Sequence, residues 1–263
     1  MPQIKGIDVS HHQGNIDWKK VAADGVKFAF IKATEGTSFV DPKFYTNANG
    51  ANAVGIKIGA YHFARFGSVE EAKKEAQHFL GVIKNVNLSY PAVLDLEVDQ
   101  KKVGKKKLTD AAIAFLEELE NAGYFAMLYS GKSFLENNLE EERLKPYALW
   151  VARYSSTLGR NADIWQYTSS GKVNGINGNV DMNIAYRDFA AIIESMKKKK
   201  GVQSTVQKNV VKDDVAGHWA EQSIRKAMKA GIIKGHSDGR FGPDEPVTRA
   251  QLAIILDRLG LLK

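Results

Sequence analysis

Across residues 1–196, short apolar runs alternate with stretches of helical or polar character. Eight runs have strand length: Lys5–Ser10, Val26–Ala33, Lys57–Phe63, Pro91–Val98, Tyr124–Ser130, Leu149–Ala152, Ala162–Tyr167 and Asn179–Asn183. Between them the period changes. Asn15-Ile-Asp17-Trp18 reads as the start of a helix, and the stretch from Pro42 to Ala53 reads as a second. A third begins at Ser68, with Glu70 and Glu71 in its first turn and Ala72, Ala76, Phe79, Leu80 and Ile83 at helical spacing. Lys101 to Lys107 reads as a basic loop, after which Thr109 is the expected N-cap of a helix carrying Ile113, Leu116 and Leu119 and stopping at Gly123. A helix from Tyr186 to Met196 closes the unit.

Eight strands separated by helices and loops predict an α/β fold, an irregular (β/α)8-like barrel. About 195 residues fall short of the usual ~250, so fewer than eight helices are expected. Polar or aromatic residues fall at or near the strand ends: Asp8, Lys32, Tyr61, Asp95, Glu97, Tyr129, Trp150, Gln166 and Asp181. In such barrels the C-terminal rim holds the active site.

The stretch Pro91-Ala-Val-Leu-Asp95-Leu-Glu97-Val98 is the centre of that rim. Two acids two residues apart on one strand point to the same side, with Cα atoms roughly 6.5 to 7 Å apart. Burial and mutual repulsion are expected to raise one pKa, which keeps a carboxylic acid protonated and able to donate. The plain alternative is a pair of acids facing solvent at a strand end.

Composition narrows the choices. Hydrophobic residues make up 44% and charged residues 25%, as in ordinary globular chains. There is no cysteine, which excludes disulfides and thiolate metal sites. His11, His12 and His62 lack metal-ligand spacing and are read as pocket lining or core, so no metal or other cofactor is expected. Ser10 and Ser130 lie in no G-x-S-x-G elbow. No apolar run approaches the ~20 residues that span a bilayer. No secretory signal is read at the start of the chain, so the expectation is a cytoplasmic protein that something else must release to its place of action.

The charge of +7 is uneven. Residues 1–196 hold 23 basic and 23 acidic side chains, whereas residues 197–263 hold 14 and 7. Lys197 to Lys200, Lys208 and Lys212 form a basic linker over 197–212, suited to an anionic partner or simply to solvent. No nucleic-acid motif accompanies it, and neither nucleic acid nor membrane is expected as a partner.

Taken in order, Gly6-Ile-Asp8-Val-Ser10, Phe30-Ile-Lys32-Ala-Thr-Glu35-Gly36, Tyr61-His62-Phe63, Leu94-Asp95-Leu-Glu97, Trp165-Gln166-Tyr167 and Val180-Asp181-Met-Asn183 resemble the glycoside hydrolase family 25 lysozymes. These are the muramidases of phage endolysins and bacterial autolysins, and the resemblance implies a phage or prophage endolysin released to the cell wall through a holin. The resemblance implies a catalytic barrel over 1–196 and hydrolysis of the β-1,4 bond between N-acetylmuramic acid and N-acetylglucosamine in peptidoglycan. It implies Glu97 as general acid, Asp95 as its neighbour, and Asp8 and Asp181 as further acids of the pocket. Lys32, Glu35, Tyr61, Tyr129, Trp150, Trp165 and Gln166 are the expected substrate-binding residues, although strand aromatics also serve as packing. The mechanism stays open between retention, inversion and attack by the sugar's own acetamido group, with the last favoured. A non-catalytic carbohydrate-binding protein and a glycosidase on another N-acetylated polymer are the rival readings.

Residues 213–263 form a small all-α domain. A helix through Ile224 and Ala227 stops at Gly231, Asp238-Gly239-Arg240-Phe241-Gly-Pro243 makes a turn, and Thr248-Arg249-Ala-Gln251 begins a second helix. This resembles one surface-layer homology repeat, which implies binding of anionic secondary cell-wall polysaccharide through Trp219, Asp238, Gly239 and Arg249. The usual T-R-A-E of the repeat is Thr248-Arg-Ala-Gln251 here, and one copy stands where three are usual. A homotrimer through the repeat would supply the other two.

Overall fold

The computed structural model describes residues 3–208, 213–236 and 240–262, with the backbone alone for 199–208. The chain divides into two compact units, Met1–Ser195 and Met196–Lys263.

The first unit is a closed barrel of eight strands: β1 (Ile4–Val9), β2 (Phe28–Glu35), β4 (Lys57–Phe63), β5 (Ala92–Asp95), β6 (Ala126–Gly131), β7 (Ala148–Ala152), β8 (Ile164–Gly171) and β9 (Val180–Ala185). Pairing of β1 with β2 closes the ring, and the two-residue β3 (Phe39–Val40) hairpins onto the end of β2. The helices are α1 (Trp18–Ala23), α2 (Phe44–Ala53), α3 (Val69–Ile83), α4 (Lys105–Asn121), the short α5 (Lys132–Asn138) and α6 (Glu141–Leu144), and α7 (Phe189–Lys208).

One strand departs from the (β/α)8 plan. β9 runs antiparallel to both β8 and β1. Parallel strands need a crossover, usually a helix. The 172–179 connection has none, so the chain turns straight back. Asp181 therefore sits at the start of its strand rather than its end, yet on the same rim as the ends of the others.

Strand alternation sorts side chains into two cores. Outward residues such as Ile7, Ile31, Ile58, Leu94, Leu128 and Val151 pack under helical Phe44, Phe79, Phe115 and Leu116. Inward residues fill the barrel with aromatics: Phe28 stacks on Tyr90 (4.7 Å), Phe30 on Trp150 (4.5 Å), and Phe189 meets Tyr90 edge-on (5.8 Å). Gly6 and Gly59 make room for these rings. A Cβ at Gly6 would lie 2.3 Å from the Phe28 ring, and one at Gly59 would lie 2.4 Å from the Phe30 ring.

Several boundaries differ from the sequence expectation. Helix α7 runs from Phe189 to Lys208, so it enters the stretch from 197 that reads as a basic linker. Helix α4 starts five residues earlier, with Gly104 at φ +84° as its N-cap in place of Thr109, so Lys105–Lys107 are helical and Thr109 is inside the helix. The Thr109 hydroxyl is buried; it donates to the Lys105 carbonyl (2.8 Å) and accepts from the Glu140 amide (2.8 Å). Strand β5 ends at Asp95, so Glu97 lies just beyond the strand rather than on it.

The second unit holds α8 (Glu221–Lys229) and α9 (Arg249–Arg258), and the Asp214 carboxylate, ahead of α8, accepts from the amides of Phe241 (2.9 Å) and Gly242 (2.8 Å) in the connection between them. The Thr248 hydroxyl accepts from the Gln251 amide (3.2 Å), and the Gln251 side chain accepts from the Thr248 amide (2.8 Å). Glutamine thus completes the capping box that the T-R-A-E pattern provides with glutamate. Among the described residues of this unit, Val215 is the one buried hydrophobic side chain, while Val247, Leu252, Ile254, Leu259 and Leu261 are exposed.

Candidate active site

At the rim formed by the C-terminal ends of the parallel strands, a cavity of about 270 Å³ is lined by Asp8, Lys32, Tyr61, Asp95, Glu97, Tyr129, Trp150, Gln166 and Asp181, all anticipated from the sequence. Ser10, His12, Phe63 and Tyr154 complete the lining. Each strand contributes the inward half of its alternation, and β9 contributes Asp181 because it is reversed.

Asp8 is the best-determined group. One of its oxygens, Oδ2, accepts from Gln166 Nε2 (2.8 Å) and from Asn183 Nδ2 (2.8 Å). Trp150 Nε1, which only donates, binds Asn183 Oδ1 (2.8 Å), so the Asn183 nitrogen must face Asp8. The hydroxyls of Tyr129 (2.9 Å) and Tyr154 (3.0 Å) donate to Gln166 Oε1, and its nitrogen faces Asp8 as well. Burial and the nearby Asp181 carboxylate push Asp8 up to about 7, against the downward pull of these two hydrogen bonds.

Asp95 is buried, and its Oδ1 accepts no hydrogen bond from the described residues. Burial, Glu97 and Asp8 hold its carboxyl well above the ordinary Asp value, while Lys32 pulls it down. Glu97 stands at the mouth of the cavity, exposed at its outer surface. The protein wall around it and Asp181 raise its pKa, again opposed by Lys32. Burial raises Asp181 as well. Four acids, Asp8, Asp95, Glu97 and Asp181, share one hollow, and all four are raised above their ordinary values.

Lys32 is the cation of this group. Its ammonium lies 2.6 Å from Glu35 Oε2 and 5.1 Å from the centre of the Phe63 ring. Arg65 Nε holds the other Glu35 oxygen at 2.8 Å. Burial opposes ionisation of Glu35, but the hydrogen bonds from Lys32 and Arg65 keep it below the ordinary Glu value.

Two expected substrate contacts fall elsewhere. Trp165 precedes Gln166 on β8, so it points outward; it packs on the outer core and donates from Nε1 to the Arg153 carbonyl (2.8 Å). Glu35 braces Lys32 and Arg65 instead of lining the cavity. Asn183 and Tyr154 were missed. Asn183 shares the parity of Asp181, which is the signal that finds it; Tyr154 lies in the loop past β7, where alternation no longer predicts direction. His12 lines the cavity, whereas His11 pairs with Asp41 (2.7 Å) and His62 is buried between Thr34 and Glu75, at 2.8 Å from each. In the second unit Trp219 is 91% exposed and Arg249 opens α9. Asp238 and Gly239 lie outside the described residues.

A proton donor at the mouth, a buried carboxylate lining the cavity behind it, and a fixed third acid suit acid-assisted cleavage of an acetal or glycosidic bond. The chain matches the profile of glycosyl hydrolases family 25 over residues 7–176, and that of the S-layer homology domain over residues 213–253. It is 36% identical over 208 residues to the uncharacterized protein YegX of Escherichia coli strain K12, covering 74% of this chain and 75% of that one. It is 33% identical over 186 residues to the autolytic lysozyme of Clostridium acetobutylicum, covering 68% of this chain and 55% of that one. Among solved structures, the CTP1L endolysin superposes with a TM-score of 0.66 at 33% identity, over 73% of this chain and 70% of that one. The barrel, its acid-lined rim and these matches agree: the chain belongs to glycosyl hydrolase family 25 and carries an S-layer homology domain later in its sequence.

Proposed function

We propose that this chain is a lysozyme that cleaves the β-1,4 bond between N-acetylmuramic acid and N-acetylglucosamine in peptidoglycan, with Glu97 as the proton donor. The observation that carries the reading is the convergence of Asp8, Asp95, Glu97 and Asp181 on one cavity. Relatives named as an autolytic lysozyme and an endolysin support it.

The Asp95 carboxyl, which lines the cavity beside Glu97, favours substrate assistance. A 2-acetamido sugar seated in the cavity offers its N–H to that carboxylate, and its carbonyl oxygen attacks the anomeric carbon as Glu97 protonates the leaving oxygen. Water then opens the cyclic intermediate and returns a proton to Glu97. A raised pKa makes Asp95 a stronger base for the amide proton. Asp8, held by Gln166 and Asn183, and Asp181 oppose the positive charge that develops on the sugar ring.

The S-layer homology domain binds cell-wall polysaccharide, with Trp219 and Arg249 as the contact residues. Its exposed Val247, Leu252, Ile254 and Leu259 are better suited to contact with further copies of the same repeat than to water, and the full chain forms a homotrimer through them. A lytic barrel with a wall anchor is the composition of an endolysin.

Clearing of a suspension of purified sacculi tests the activity. The full chain should clear it, and Glu97→Gln should be slower by about 10² to 10⁴-fold, the usual worth of general-acid assistance. A variant that keeps most of the activity removes Glu97 from this role.

A further inference from the structure

Lys32 and Glu35 are three residues apart on β2, so on a regular strand their side chains would point to opposite faces. They meet because the strand is irregular between them. In the pairing with β4, Lys32 stands opposite Tyr61 and Thr34 opposite His62, which leaves Ala33 as an extra residue. Ala33 packs in the outer core and the Thr34 hydroxyl meets His62 Nδ1 (2.8 Å), so two consecutive side chains take the outer face. Glu35 thereby returns to the face of Lys32 and reaches its ammonium at 2.6 Å.

The contact is held from the other side as well. Arg65 Nε donates to the second Glu35 oxygen (2.8 Å), and the Arg65 backbone amide donates to the buried Glu75 carboxylate (2.9 Å), which fixes the root of the arginine. The Phe63 ring attracts both cations, with Arg65 at 4.4 Å and the Lys32 ammonium at 5.1 Å from its centre. Phe39 presents a second ring to the ammonium at 5.6 Å.

Lys32 has other anions within its own hollow. Asp8, Asp95, Glu97 and Asp181 line the same cavity, with His12 as the other basic side chain there. The phenols of Tyr61, Tyr129 and Tyr154 are kept neutral by burial. Among the described residues, the ammonium's hydrogen bond goes to Glu35 and to none of the four acids. A lysine carries a point charge on a flexible stem and turns to another anion when its partner is withdrawn. Glu97 would register such a turn cleanly, because the charges that act on it are Asp181 and Lys32, whereas Asp95 also feels Glu35 directly.

We propose that Glu35 is a positioning residue of this site: it holds the Lys32 ammonium and keeps that charge off Glu97. The assignment deepens the lysozyme reading, in which Glu97 is the proton donor.

Glu35→Gln keeps the shape of the side chain and an oxygen for Arg65 but removes the charge. The test measures kcat/KM against pH on a soluble peptidoglycan oligosaccharide for the parent, Glu35→Gln, Lys32→Met and the double variant. A carbon NMR titration of the Glu97 carboxyl, whose signal is assigned by its loss in Glu97→Gln, accompanies each profile. With the ammonium released toward the acids, the basic limb and the Glu97 midpoint should both fall by about one pH unit, because a cation within ~4–6 Å lowers a carboxyl by ~1–3 units. In the Lys32→Met background the same substitution should leave Glu97 nearly where Lys32→Met puts it. A Glu97 midpoint that is unmoved or raised in Glu35→Gln, or lowered equally with and without Lys32, would overturn the assignment. Glu97→Gln separates the two claims: if it keeps its activity the proton-donor reading fails, while the NMR midpoint still decides whether Glu35 holds Lys32 away from Glu97.

Discussion

Asp8 and Asp181, far apart in the chain, are direct register partners across the antiparallel pair β1–β9. The reversal of β9 brings them face to face at the rim, and each finds itself beside a carboxylate in a poorly solvated place. Asp181 is the second cause, after burial, of the rise of Asp8 to about 7.

This rise has a consequence for stability. The folded-state pKa of Asp8 lies above the ~3.9 of an unfolded chain. The folded protein therefore binds this proton more tightly, and the associated stability, full below about pH 4, is lost as pH rises through about 7. Asp8→Asn removes the loss while its oxygen still accepts from Gln166 and Asn183. Thermal melts should place the variant level with the parent near pH 4 and more stable by roughly 1 to 4 kcal/mol at pH 8. A variant that is less stable at pH 8 would contradict the burial argument.

Lys32 lowers both Asp95 and Glu97. Its replacement by methionine should raise both, so the whole bell of kcat/KM against pH moves upward. Asp95 must be ionised and sets the acid limb; Glu97 must be protonated and sets the basic limb. An activity loss with both limbs unmoved would mean that Lys32 acts by contact alone.

If the acetamido group is the nucleophile, a glycan lacking its N-acetyl groups should be cleaved very slowly by the unaltered enzyme, and Asp95→Asn should slow the N-acetylated glycan. Equal rates on acetylated and de-N-acetylated glycan would return Asp95 or Asp181 to a conventional nucleophile or base.

In the second unit, Gln251 is expected to hold the start of α9. Gln251→Ala should cost about 1 kcal/mol of local stability and Gln251→Glu almost none. Hydrogen exchange at the Thr248 amide, which donates to Gln251, reads this directly. Unchanged protection in the alanine variant would show that other contacts hold the turn.

Much of the site was legible in the sequence because strand parity is a strict rule. Asp8, Lys32, Tyr61, Asp95, Tyr129, Trp150 and Gln166 are inward positions near strand ends, and all line the cavity. The same rule excludes Trp165, which cannot share a face with its neighbour Gln166, and includes Asn183, two residues beyond Asp181. Tyr154 and the exposure of Glu97 were not legible, since both lie past the ends of their strands where the backbone direction depends on the loop. The early start of α4 was hidden because a glycine at φ +84° precedes it in place of a side-chain cap, and three lysines of the first turn read as loop.

The central claim is that this barrel cuts the glycan of peptidoglycan at the muramic acid side. Purified peptidoglycan digested with the full chain, reduced with borohydride and analysed by mass spectrometry, tests it most directly. New reduced N-acetylmuramic acid ends on disaccharide-peptide products are expected, absent after digestion with Glu97→Gln. New reduced N-acetylglucosamine ends, or glycan strands left intact, would contradict it.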